Sequence, residues 1–271
     1  MEATRAAADA PLIDCHAHIF QADFPLTETA WTRPAYDFPV ERYLALLDAH
    51  DIPFGVIAGI SLYGEYNDYM CACLRTHRRL RGTAIVSPSI DFYTLRALRD
   101  DGVVGIRLML GRDRPLPDLM RHDWQVLFRR LRDLGMHVHV AAPAARIAPL
   151  LPPLVAQGND LVIDHFADIL PGDLEPGSAF HAILRAAQSG GIWIKVSAVF
   201  RLASPQLGVD AAALLLRKVG TSRLLWGSDA PFVGHEGAVD YPSVLADFRL
   251  TVPDPADRLA ISRTGLRLYL G

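Results

Sequence analysis

The stretch PLIDCHAHIF, residues 11–20, carries an apolar lead-in followed by Asp14, Cys15, His16, Ala17 and His18. If it is extended, period-two alternation places His16 and His18 on one side and Cys15 on the other, facing outer helices. The same type of segment recurs along the chain. FGVIAGIS (54–61), GTAIVS (82–87), VVGIRLML (103–110), MHVHVAA (136–142), LVIDH (161–165), IWIKVS (192–197) and RLLWGSD (223–229) bring the strand candidates to eight. Between them VERYLALLDAH, MRHDWQVLFRRLRDLG, SAFHAILRAAQSGG and DAAALLLRKVG show helical spacing, each ending near a Gly or a polar break. Eight strands alternating with helices predict an α/β protein: a single, distorted (β/α)8 TIM barrel, one domain over residues 1–271. An open doubly wound sheet competes, but no glycine-rich nucleotide-binding turn follows the early strands.

In such a barrel the chemistry lies at the C-terminal ends of the strands. His16 and His18 end the first strand, His165 the sixth and Asp229 the eighth, so four polar groups from three strands are expected at one rim. Neutral imidazoles beside a carboxylate suit zinc, and they also suit carbonyl polarisation and water activation without a metal. Arg107, near the end of strand four, and Arg112 and Arg114 in its loop suggest an anionic substrate, because guanidinium groups pair with carboxylates.

The 271 residues have a net charge of -3, which gives no footprint for nucleic acid or an anionic membrane surface. No apolar run reaches a membrane span, and the N-terminal segment lacks an apolar signal region. Three cysteines, Cys15, Cys71 and Cys73, form no disulfide framework, and a cytoplasmic location is expected. Cys71 and Cys73 fall in a helical pattern and read as packing residues.

DCHAH, RGTAIVSPSID (81–91), DGVVGIRLML (101–110), LVIDHFAD (161–168), IWIKVSAVFR (192–201), RLLWGSDAP (223–231) and the closing RLYL resemble, in order, the amidohydrolase superfamily. The resemblance is strongest to the branch of 2-pyrone-4,6-dicarboxylate lactonases and related sugar-lactone and sulfolactone hydrolases. It implies a hydrolase that opens a carboxylated lactone, with Asp229 activating water and then protonating the leaving group, while His16, His18 and His165 polarise the carbonyl. It marks Arg107 and Arg201 as carboxylate readers and places a second arginine near Asp113, leaving Arg112 and Arg114 both open. It also implies that no metal is required, since the strand-four and strand-five ligand of metal-dependent members is missing where this chain has Leu108, Met109, Leu110 and Ala141. Ala141 and Phe232 depart from a Tyr and a His of the dicarboxylate lactonase, so the pocket is expected to differ.

Other readings stay open. One zinc or another divalent metal on His16, His18, His165 and Asp229 would suit a metal-dependent decarboxylase, and a non-catalytic barrel would merely bind a carboxylated ligand. His137 and His139 are expected in the barrel layers or at its bottom, and Lys195 in an ion pair with Asp164. Tyr63 is a candidate pocket residue, Gly64 a turn residue, and Ser61 and Asn67 are candidate caps of the next helix. The expected partner is a small anionic lactone, and the chain is a monomer or a small homo-oligomer.

Overall fold

The computed structural model describes residues 10–111 and 115–271. Its strands are β1 (Ile13–Ala17), β2 (Phe54–Ala58), β3 (Leu80–Ala84), β4 (Val103–Met109), β5 (His137–Ala141), β6 (Leu161–Ile163), β7 (Ile192–Ser197) and β8 (Leu224–Gly227). They form one parallel sheet in the order β1 to β8, each pair separated by helices. The strands are shorter than the apolar runs of the sequence, because the residues after each one leave the ladder and build the rim. Strands of this kind are covered on both faces, which is why nearly every residue of β1, β4 and β7 is buried.

The barrel closes at its mouth. Asp229 N–H donates to the His16 carbonyl and His18 N–H to the Ala230 carbonyl, both at 2.7 Å. Gly227 permits this approach, since a Cβ there would lie 2.6 Å from the Cβ of His16. The helix Pro255–Leu270 covers the first and last strands through Gly265, against which Cys15 and Ile13 pack. Cys15 therefore faces a helix, as alternation with the histidines requires, and Cys71 and Cys73 are buried in the helix Asp68–Thr76. From the same C-terminal helix Tyr269 joins Val56, Val104, Val162 and Leu225 in a small core and touches His137 and His139 edge-on or tilted.

Among the described residues no helix is long and apolar enough to cross a membrane.

Candidate active site

Asp14 anchors the mouth. Its Oδ1 accepts from Ser228 N–H at 2.8 Å and His16 N–H at 3.1 Å, and its Oδ2 accepts from Ser228 Oγ at 2.6 Å and Tyr241 OH at 2.9 Å. Burial pushes its carboxyl up, and these four donors hold it back. The sequence shows Asp14 only as a polar neighbour of the histidines. Its side-chain partners Ser228 and Tyr241 lie more than 200 residues away, and no local pattern signals them.

Fixed by this knot, Asp229 adopts left-handed backbone (φ 64) and is 1% exposed. Its Oδ1 lies 3.3 Å from His18 Nε2, 3.6 Å from His16 Nε2 and 3.7 Å from His165 Nε2. Its Oδ2 accepts from Arg201 Nε at 2.7 Å. Burial alone would raise the carboxyl, but His165 and Arg201 outweigh it and hold Asp229 well below the carboxylate range. All four residues expected at the rim are thus brought together.

The histidines are held differently on their far sides. His18 Nδ1 donates to the Ala58 carbonyl at 2.7 Å, and His165 Nδ1 pairs with Ser197 Oγ at 2.9 Å. His16 Nδ1 instead meets the ammonium of Lys195 at 3.0 Å. His16 is pushed well below the usual histidine range by burial and by Lys195, and His165 to about 4 by burial. His165 also begins a run of four left-handed residues, with φ of 46, 53, 60 and 43 through Asp168. Such backbone costs about 1–2 kcal/mol per non-glycine residue. Hydrogen bonds from Ala167 N–H to Asp164 O and from Asp168 N–H to His165 O, both 2.8 Å, close the turn. The turn sends both His165 and Asp168 to the cavity. Nothing in HFAD, which has no glycine, announces it.

The cavity measures about 260 Å³. His18, His165, Asp229, Arg107, Arg201 and Asp168 form its polar side, and Trp31, Ile60, Met109, Ala141 and Val233 its apolar side. The arginine forks are partly committed within the protein. Arg107 donates from Nε to Asp164 Oδ2 at 2.9 Å and from one terminal nitrogen to Gly59 O at 2.8 Å. Arg201 uses Nε on Asp229 and one terminal nitrogen on Val233 O at 3.2 Å. Each therefore offers a ligand one terminal nitrogen rather than a two-pronged fork. Arg112 and Arg114 lie outside the described residues.

Three expectations are corrected. Tyr63 does not line this cavity; it is 5% exposed and packs against Phe20 and Phe24. Asn67 precedes its helix without capping it. Its side chain donates to Glu65 O and Ile85 O, both at 2.9 Å, and accepts from Ile85 N–H, pinning the second loop to the third. Ser61, expected as a cap, faces the cavity. Gly64 does supply a left-handed turn (φ 54). Asp168 and Ser197 are site residues that the sequence reading missed.

Beneath the mouth Lys195 pairs with Asp164 Oδ1 at 2.9 Å as expected, and His137 and His139 are buried in the barrel below the rim. Burial pushes Asp164 up, but Lys195 and Arg107 prevail and hold it well below the usual range.

A parallel barrel with imidazoles and a carboxylate at its C-terminal rim defines a hydrolase-type site. The family model described as amidohydrolase matches residues 13–264, and the chain belongs to that family. It is 27% identical over 228 residues to the 4-sulfomuconolactone hydrolase of Rhizobium radiobacter, covering 82% of this chain and 76% of that one. It is 27% identical over 253 residues to the 2-pyrone-4,6-dicarboxylate hydrolase of Comamonas testosteroni, covering 87% and 82%. A crystal structure of a probable 2-pyrone-4,6-dicarboxylic acid hydrolase from Acinetobacter baumannii, with citric acid bound, superposes with a TM-score of 0.91 at 30% identity, covering 96% and 99%. A zinc-bound amidohydrolase from Burkholderia multivorans, 19% identical with a TM-score of 0.76 over 96% and 99%, shares the fold. In this chain His16, His165 and Asp229 can each place a ligand atom within 4.8 Å of the others.

Proposed function

We propose that this protein hydrolyses a carboxylated lactone. The observation that carries the reading is the convergence of three imidazole Nε2 atoms on one ionised carboxylate oxygen, at 3.3–3.7 Å, at the wall of a cavity that His18, His165, Asp229 and two guanidinium groups line. An ionised Asp229 takes a proton from water as the water oxygen attacks the acyl carbon. The carbonyl π electrons move to oxygen, where an imidazole N–H stabilises the developing charge; His165, whose Nδ1 can accept from Ser197 Oγ, can present one on Nε2. The tetrahedral centre then collapses, the ring C–O bond breaks, and Asp229 returns the proton to the leaving oxygen. Water is added and nothing else is consumed. The free terminal nitrogens of Arg107 and Arg201 bind the substrate carboxylate, one hydrogen bond each.

The reading needs no metal. A metal-bound imidazole ordinarily donates its other N–H to an acceptor. His18 meets that condition through the Ala58 carbonyl, but His16 faces an ammonium, which has protons to give and no lone pair. The contact with Lys195 at 3.0 Å, closer than the 3.6 Å approach to Asp164, supports this. The cluster as arranged does not fit a metal site that includes His16, so no step is routed through one. A metal-dependent decarboxylase is the weaker reading on the same ground.

The test is proton release from a panel of carboxylated lactones by metal-free protein, with Asp229→Asn and Arg107→Ala as controls. Turnover that Asp229→Asn abolishes supports the reading, with Arg107→Ala raising KM about tenfold or more for the loss of a charged hydrogen bond. Activity that chelation removes and zinc restores would overturn it.

A further inference from the structure

We infer that Lys195 is a positioning residue: its ammonium fixes neutral His16 as the tautomer that carries its proton on Nε2, aimed at the Asp229 carboxylate. The catalytic consequence rests on the lactone-hydrolase reading; the tautomer itself does not.

Lys195 is 0% exposed, near the middle of β7. Three acceptors surround its Nζ: Asp164 Oδ1 at 2.9 Å, His16 Nδ1 at 3.0 Å and His139 Nδ1 at 3.5 Å. An ammonium has three protons and no lone pair, so both imidazoles that it hydrogen-bonds accept at Nδ1, while Asp164 Oδ1 meets it as an ion pair. The far end of the chain of bonds gives the same polarity independently. The Leu268 carbonyl can only accept, so His137 holds a proton on Nε2, 3.3 Å away. His137 Nδ1 must then accept, and the ring 3.0 Å from it, His139, donates from Nε2. That leaves His139 Nδ1 as an acceptor toward Lys195, as the ammonium requires. Burial keeps these rings neutral, pushing His137 to about 4 and His139 well below the usual histidine range.

His16 is the second branch from the same ammonium. Its Nε2 is fully buried and has no hydrogen-bond partner among the described residues, with Asp229 Oδ1 3.6 Å away. A buried donor left unmade is costly in a resting protein, and such atoms mark places where a ligand completes the bonding. His16 does not itself line the cavity, so this N–H acts on the group that it faces, the Asp229 carboxylate at the cavity wall. His16 is thus a donor, and Asp229 remains the base.

The tautomer is read from long-range proton–nitrogen correlation spectra of protein with ring-15N histidine, His16 being assigned by its loss in His16→Gln. The wild type is expected to show protonated Nε2 and unprotonated Nδ1 at neutral pH. In Lys195→Met the Nδ1 is expected to become protonated, turned toward the Asp164 carboxylate. On the best lactone, kcat should fall about 10²–10³-fold, the cost of losing one such donor, with KM within about twofold. Lys195→Gln, whose amide can donate to Nδ1, should retain more activity than Lys195→Met. A wild-type His16 protonated on Nδ1 overturns the inference, and this holds even if Lys195→Met does not fold. So does a folded Lys195→Met that keeps the wild-type tautomer or the wild-type kcat. If no lactone is turned over, the hydrolase reading fails, and the spectrum still decides the tautomer.

Discussion

Asp164 serves two buried cations. Its Oδ1 lies 2.9 Å from Lys195 Nζ and its Oδ2 2.9 Å from Arg107 Nε; Lys195 is 0% and Arg107 5% exposed. Asp164→Ala leaves both charges in the barrel without an anion. Removing one partner of a buried pair costs about 3–5 kcal/mol. The orphaned groups keep some compensation, since Arg107 still donates to Gly59 O and Lys195 to two imidazoles, so about 3–4 kcal/mol is expected. In a protein of 271 residues, at about 2 °C per kcal/mol, Tm should drop by about 6–8 °C. Scanning calorimetry at neutral pH measures this. The pH dependence supplies a second check. Because the folded carboxyl is held well below its unfolded value of about 3.9, its contribution is fully present above that value and fades as pH falls toward the folded one. The gap between wild type and variant should therefore narrow under acid. Replacing all three groups by apolar residues of similar volume should recover much of the loss, since desolvation then vanishes with the charges. A variant within about 1 kcal/mol of wild type at neutral pH, or a gap that widens in acid, would refute the account.

Three further outcomes are expected. Asp229→Asn should lower kcat by about 10²–10⁴-fold on the best lactone while circular dichroism shows an intact fold, and a smaller loss would remove Asp229 as the base. Asp168 lines the cavity, and its carboxyl is pushed to about 6 by burial and by Asp164. Its ionisation therefore costs stability as pH rises from its unfolded value through 6, and the cost is fully present above that. Asp168→Asn should raise stability above pH 6 by on the order of 1 kcal/mol, seen as a higher Tm, and lower KM for anionic lactones; equal melting curves at both ends of that range would contradict this. Gly265→Ala should cost about 1–3 kcal/mol by overpacking, because the new Cβ would lie 2.8 Å from Cys15 Sγ and from Ile13 Cγ2. In urea titrations a Cys15→Ala background should recover part of that loss, and no recovery would mean that Cys15 is not the obstacle.

The barrel and the four rim residues were legible because both rest on periodicities that short segments carry. Alternation in IDCHAH placed His16 and His18 together, and strand ends located His165 and Asp229 without any knowledge of their neighbours. Lys195 was legible in a different way: a lysine in an apolar strand requires a counter-ion, and Asp164 stood on the adjacent strand. Nothing in that reasoning indicated the second contact, to His16, because the barrel interior joins β1 to β7 across the chain rather than along it. The same limit explains the misreadings. Asn67 has the side chain and position of a cap, yet three bonds to other loop backbone outcompete the helix end. Arg107 and Arg201 carry the planar fork that pairs with carboxylates, yet their Nε atoms are taken by Asp164 and Asp229. A side chain's chemistry can be read from its type, whereas its remaining valence depends on partners that only the closed barrel supplies. That remaining valence sets what each group can bind, for it separates an arginine that grips a carboxylate with two prongs from one that offers a single hydrogen bond while holding Asp229.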